Sequence, residues 1–399
     1  MANIKISGYG AVTPLGANSK ISFKNLLMGK DAFKQSTFLD LSDDFFYQKK
    51  IAEISEHILD HRFGDHNCFA TVLTMLALNE AYEMAGSPNL SGSRVGIAIS
   101  TLESQALENI VKAMEIKDDQ QLNRSLHYAD SQYCVTTIRR HTGAQGPSIV
   151  LSNACASGNH AIAAGYDMIE TGEVDIAIVG GGCKIFQSAV VGFHQFTGVS
   201  GDTCRPFDRN RSGTMLGDGA GILIIESADH AKKRGHCPRI ELLGYGVSCD
   251  SYDMMAPHPE GLGMELAMRR SLTMANISSN QIQYINAHGT GTTVNDKLES
   301  ISIHRVFGEQ YLSLPISSTK SMIGHALYAA SALEAVWCCR VLDENMIPPT
   351  ANFQTKDDEC PIDCVPNQAR HTTVDCCMNN SFGFGGTNAT VIFRKCHAR

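Results

Sequence analysis

The run Leu151-Ser152-Asn153-Ala154-Cys155-Ala156-Ser157-Gly158-Asn159-His160 stands between two segments of different rhythm. Before it, residues 147–151 are an apolar run that reads as a buried strand; after it, residues 161–170 carry small and apolar side chains at the spacing of a buried helix. A strand feeding directly into such a helix is a unit of α/β architecture. The turn between them sets Cys155 near a helix N-terminus, where the dipole and free backbone N–H groups stabilise a thiolate or an oxyanion. That layout is a nucleophile elbow with sulfur in place of a serine oxygen. Taken alone, the stretch is more readily a buried core cysteine, because a free cysteine behaves as a small hydrophobe.

Outward from the elbow, strands and helices alternate in two comparable halves. The first half reads as a strand over 4–8, helix 68–85, strand 94–100, helix 103–114, the elbow, strand 174–182, strand 222–226 and helix 228–234. The second reads as strand 239–249, helix 265–275, strand 283–287, helix 295–306, strand 314–318, helix 325–342 and a Gly-rich hairpin over 382–393. This pattern predicts a mostly parallel-sheet α/β fold, with residues 1–235 carrying the cysteine and 236–399 completing one compact unit. No composition shift marks a linker. Residues 115–133 are polar and read as a surface loop, and a second loop region follows strand 174–182. The early Gly8-Tyr9-Gly10-Ala11-Val12-Thr13-Pro14 matches a dinucleotide fingerprint at two glycines only; the third would fall at Thr13, and Pro14 stands where the phosphate-binding helix should open.

With 399 residues, 43% hydrophobic and 19% charged, the chain can bury a large core. A net charge of -8 without a long basic run argues against a nucleic-acid surface, and leaves room for a local basic patch facing an acidic protein. No uncharged apolar segment approaches the roughly 20 residues that span a bilayer, and the N-terminus shows strand alternation instead of a signal core, so no membrane association and a cytoplasmic location are expected. Fourteen cysteines without a secretory signal read as reduced thiols. The pairs 338–339, 376–377 and 360/364 lack the spacing of a structural zinc site, and no metal is expected.

Two histidines qualify for chemistry. His288 ends an apolar strand just before Gly289-Thr290-Gly291-Thr292, where α/β folds present reactive groups. His325 follows Ser318-Thr319-Lys320-Ser321-Met322-Ile323-Gly324 and opens a helix of small residues; the dipole there favours a neutral imidazole that donates through Nε2. Either histidine alone is more often a structural residue.

Together, Asn153-Ala154-Cys155-Ala156-Ser157-Gly158, Asn286-Ala287-His288-Gly289-Thr290-Gly291-Thr292, Ser318 to His325, and Asn380-Ser381-Phe382-Gly383-Phe384-Gly385-Gly386-Thr387-Asn388 resemble the motifs of a β-ketoacyl-acyl-carrier-protein synthase. The likeness is to the decarboxylating Cys-His-His type, near the KAS II enzymes of fatty acid synthesis and the ketosynthases of type II polyketide systems. It runs from Gly8 to Phe393, with the four motifs in the expected order.

The resemblance implies a thiolase-like five-layered αβαβα sandwich of two similar halves, usually a dimer. It implies decarboxylative Claisen condensation of an acyl chain held on Cys155 with malonyl-acyl-carrier protein, lengthening a polyketide, polyene or fatty acyl chain by two carbons. His288 and His325 would stabilise the thioester oxygen as CO2 leaves; Lys320, paired with Glu334, would hold the His288 side in place. The N–H groups of Cys155 and Phe384 would form the oxyanion hole, the Phe384 ring, supported by Phe382, would gate acyl entry, and Thr290 and Thr292 would face the phosphopantetheine arm. No cofactor is implied beyond the carrier's own arm. Partners would be acyl carrier protein and, in a homodimer or heterodimer, a second copy or a chain-length-factor-like subunit.

The chemistry of the residues agrees with this picture. Thiolate is a good nucleophile and leaving group, and neutral donors suit an enolate oxygen. A cysteine protease would need one His and an orienting Asn or Asp, a non-decarboxylating thiolase a second cysteine near Phe384, and a chain-length factor would lack Cys155. Departures from the family pattern point to a specialised pathway over a housekeeping KAS II or an inactive scaffold subunit. Tyr328 and Ser331 stand where glycine is usual, Ser212 and Thr214 replace an Asp and an aromatic, residues 115–133 look shortened, and residues 60–67 offer only Arg62 among acids and histidines.

Overall fold

The computed structural model describes residues 3–46, 48–55, 68–102, 104–195, 198–200 and 203–396. The stretch 60–67 with Arg62 and the expected helix start at Glu103 lie outside the described residues.

Among the described residues, five strands from each half share one sheet. In the first half, Ile4–Val12, Val95–Thr101, Ser148–Val150, Ile176–Cys183 and Gly219–Ser227 stand in the spatial order 3-2-4-5-1. Ile240–Cys249, Tyr284–Asn286, Ile316–Ser317, Cys376–Gly383 and Thr387–Lys395 repeat that order with the same strand directions. The halves join where Ile4, Lys5 and Ile6 pair with Leu242, Glu241 and Ile240. The sheet is mixed where a mostly parallel one was expected, because the last strand of each half runs against both of its neighbours.

Helices Ser157–Glu170 and Ala330–Glu344 pack on each other and on strands of both halves, forming the middle layer. Every residue from Ala330 to Leu342 is buried, as a helix covered on all sides requires. Phe69–Met84 covers the first half from outside, and Leu262–Ala275 the second, which completes the five layers. Gly8 and Gly10 serve this packing. A Cβ on them would lie 2.0 Å from the Ala81 carbonyl oxygen and 2.1 Å from that of Ala77, so the pair lets helix 69–84 settle on the strand, which continues to Val12 without a phosphate-binding turn.

The expected loop at 115–133 contains a helix, Asp119–Tyr128. The Asp118 carboxylate caps it by accepting the Gln120 and Gln121 N–H groups at 3.1 and 3.0 Å, a local signal masked by the polarity of an exposed helix. Helix Gln187–Gln195 likewise occupies the loop region after the first-half strand. The strand expected over 147–151 shrinks to the half-exposed Ser148–Val150 at the sheet edge. The helix expected from His325 starts at Ala330, after a 3-10 turn Leu327–Ala329. None of the fourteen cysteines is in a disulfide. No described helix is long and apolar enough to cross a membrane.

Candidate active site

Cys155 is the middle residue of the 3-10 turn Ala154–Ala156, which runs into the buried helix Ser157–Glu170. Ala154 is held at φ 47°, a left-handed conformation that costs a residue with a Cβ about 1–2 kcal/mol. Side chains around the turn offset that strain. Ser157 Oγ accepts the Asn153 N–H at 2.7 Å and donates to the Ala154 carbonyl at 2.6 Å, while Ser331 and Ser381 donate to the Cys155 carbonyl at 3.2 and 2.9 Å. The backbone N–H groups of Cys155 and Phe384 both point to the Cys155 sulfur.

His325 Nε2 lies 3.0 Å from Cys155 Sγ. The Leu327 N–H donates to Nδ1 at 3.1 Å, which assigns the proton of the neutral ring to Nε2, facing the sulfur. The His288 ring stands edge-on to that of His325 at 5.6 Å between centroids and has Phe382 behind it at 6.0 Å. The thiol sulfur and one nitrogen from each imidazole lie within 4.8 Å of one another, the only such thiol, imidazole or carboxylate grouping among the described residues.

The turn that presents His288 is held from both sides. Its own N–H and that of Gly289 donate to the buried Glu299 carboxylate at 2.9 and 2.8 Å. Lys320 Nζ donates to the His288 carbonyl at 2.6 Å and forms a buried ion pair with Glu334. Lys320 therefore grips the backbone of His288, not its ring. Further along, Asp296 accepts the Phe207 N–H at 2.8 Å and the Gly291 N–H at 3.2 Å, fixing the loop on which the Thr290 and Thr292 hydroxyls sit 2.8 Å apart.

Burial, with the Lys320 charge nearby, holds His325 well below the ordinary histidine range; burial, Lys320 and His325 do the same to His288. Both rings are neutral. The thiol departs from the elbow expectation: burial pushes Cys155 up to about 11, outweighing Lys320 and the two backbone N–H groups. At rest the sulfur is protonated. Burial also raises Glu334 to about 7 against the pull of Lys320, and Glu299 to about 7 against its two N–H donors.

A cavity of about 330 Å³ leads from the exposed Val294, past Thr290 and Thr292, to Cys155, His288, His325 and Phe384. Phe384 is 37% exposed, and its ring lies 5.7 Å from Phe193, which also packs edge-on to His325 at 6.3 Å. The structure thus brings together Cys155, His288, His325, Lys320, Glu334, Phe384, Phe382, Thr290 and Thr292. Sequence reasoning missed Glu299, Asp296, Phe193 and Ser381. Asp296 and Glu299 share helical spacing with the apolar Ile303 and Val306, which was a usable signal for the first two, since buried carboxylates need donors; Phe193 lay hidden in the unread helix. Ser331 uses its extra bulk as a polar strut, accepting the Asn159 N–H at 3.0 Å while donating to Cys155.

The buried thiol faces two neutral imidazoles, and that of His325 turns its N–H toward the sulfur. That sulfur can hold an acyl group while an enolate oxygen is stabilised beside it, which makes the protein an acyl-transferring condensing enzyme by class. Residues 1–231 match the family model for the β-ketoacyl synthase N-terminal domain, and 240–354 that for the β-ketoacyl synthase C-terminal domain. The chain belongs to the β-ketoacyl synthase family. It is 34% identical over 400 residues to nodulation protein E of Rhizobium leguminosarum bv. trifolii, covering 98% of this chain and 99% of the relative. It is 32% identical over 418 residues to 3-oxoacyl-acyl-carrier-protein synthase 2 of Staphylococcus aureus (strain COL), covering 99% of each. Among solved structures, the ishigamide ketosynthase/chain length factor matches with a TM-score of 0.92 at 31% identity, covering 99% of this chain and 100% of the other.

Proposed function

We propose that Cys155 accepts an acyl group from an acyl carrier protein and that His288 and His325 drive its condensation with a malonyl unit on a second carrier. The observation that carries this reading is the pair of contacts on His325, with Nδ1 occupied by the Leu327 N–H and Nε2–H aimed at the Cys155 sulfur. In loading, sulfur attacks the carrier thioester, the carrier C–S bond breaks, and the thiol proton ends on the departing pantetheine sulfur. In condensation, malonyl loses CO2; the enolate oxygen takes hydrogen bonds from His288 and His325, and the enolate carbon attacks the Cys155 thioester. The tetrahedral oxyanion sits on the N–H groups of Cys155 and Phe384, then collapses to a β-ketoacyl carrier and a Cys155 thiolate, which takes up a proton. Lys320 and Glu334 act through the His288 backbone; Thr290 and Thr292 line the path of the pantetheine arm.

Loading and decarboxylation separate the roles. Cys155→Ala abolishes the acyl adduct seen by intact mass, while His325→Ala keeps the adduct and stops CO2 release from malonyl carrier; equal loss of both steps would show the histidine's role to be misassigned. The bulk at Tyr328 favours a specialised acyl chain over ordinary saturated elongation, with the protein acting in the cytoplasm, paired with a second copy or with a chain-length-factor-like subunit. Elongation of saturated carriers to membrane-length products by the purified protein alone would reverse that assignment.

A further inference from the structure

The two middle-layer helices begin alike. Ala154–Ala156 and Leu327–Ala329 are both 3-10 turns running straight into a buried helix, and each opens on a residue of positive φ, 47° at Ala154 and 46° at Leu327. Each turn follows the third strand of its half, so Tyr328 is the topological counterpart of Cys155. Cys155 faces residues that follow the second and fourth strands of the second half, His288 and Phe384. The turn bearing Tyr328 packs across the second and fourth strands of the first half, Val95–Thr101 and Ile176–Cys183, and the Tyr328 carbonyl accepts from Ser100 Oγ at 2.7 Å. Its side chain packs against the large apolar core cluster that both halves share. The turn Leu327–Ala329 also packs against the turn Ala154–Ala156, which sets Tyr328 next to the turn that carries the nucleophile; burial first, then the Cys183 and Cys155 thiols, raises its phenol.

The cavity from Val294 to Cys155 must hold the malonyl carrier's arm during condensation, so an acyl chain already on the sulfur has to turn away from it. Tyr328 does not line that cavity, and its turn packs against the turn that carries the sulfur. We propose that Tyr328 is the end wall of the space receiving the Cys155-bound acyl chain, restricting the enzyme to short acyl groups. Where the family usually has glycine, a phenol ring fills volume that a longer chain needs. The inference rests on the carrier-fed condensation proposed above.

Intact-protein mass spectrometry of Cys155 loading, from carriers bearing acetyl through palmitoyl groups, tests it on the wild type and on Tyr328→Gly, Tyr328→Leu and Tyr328→Trp. The wild type loads the short members, and its rate falls roughly tenfold or more for each methylene past the limit. Tyr328→Gly and Tyr328→Leu move the limit to longer chains, while Tyr328→Trp moves it to shorter ones. Should Tyr328→Gly fail to fold, the leucine and tryptophan variants carry the same comparison in opposite directions. A wild type that loads palmitoyl as fast as butyryl, or a limit that stays put in all folded variants, overturns the wall. A wild type that loads no acyl group from any carrier overturns the carrier-fed reading itself, a distinct result.

Discussion

The protonated resting state of Cys155 has a measurable signature. A thiol at about 11 is ionised to only about one part in a thousand at pH 8, and alkylation goes through the thiolate. The rate of Cys155 modification by iodoacetamide should therefore climb tenfold per pH unit, about a thousandfold between pH 7 and pH 10, without a plateau in that window. No step should appear near the ordinary histidine range, because His288 and His325 stay neutral throughout it. Lys320 lowers the thiol and Glu334 raises it, so Lys320→Met moves the curve to higher pH and Glu334→Gln to lower pH. The assay is peptide-resolved mass spectrometry, which separates Cys155 from the exposed Cys237 and Cys249. A plateau reached below pH 8 would mean a thiolate at rest, paired with an imidazolium, and would refute the conclusion that burial outweighs the local donors.

Removing Lys320 alone leaves Glu334 buried without its partner, and breaking such a pair from one side costs about 3–5 kcal/mol. The folded-state value of Glu334 lies above its usual 4.5 and rises further without Lys320, so its contribution is intact at low pH and lost as pH climbs. Denaturant unfolding should show Lys320→Met close to wild type near pH 4.5 and progressively weaker toward pH 7 and above; Lys320→Met/Glu334→Leu should recover stability at neutral pH but not condensation. Glu299→Leu leaves the His288 and Gly289 N–H groups unpaired at about 1–3 kcal/mol each, measurable as a lower urea midpoint. Gly158→Ala brings a Cβ to 2.5 Å from the Ala332 nitrogen, backbone that cannot swing aside, and should cost about 1–3 kcal/mol or more in thermal unfolding by prising the two middle helices apart.

Much of the scaffold was legible because its signals are local. Periodicity located most strands and helices within a few residues, and the elbow, the His288 strand end and the Phe382–Phe393 hairpin each stand where a short stretch marks them. Errors came where local composition opposed the fold. Asp119–Tyr128 hides its helix under polar side chains, and Gln187–Gln195, with Phe193, follows a glycine-rich strand and resembles loop. The delayed start at Ala330 reflects the left-handed Leu327, which turns its N–H onto His325 and which no propensity foretells.

By itself, the sequence determined the chemical cast: one thiol in a strand-to-helix turn, two histidines flanked by glycine turns, and the Gly383–Gly386 turn around Phe384. Those features need only neighbours along the chain. Tertiary structure decided what the cast does. Cys155 and His325 are 170 residues apart, and the repeated 3-2-4-5-1 order sets them face to face at the starts of two buried helices. The same packing strips water from the sulfur and both rings, raising the thiol and depressing the imidazoles, because desolvation depends on what surrounds a group and not on what precedes it in the chain.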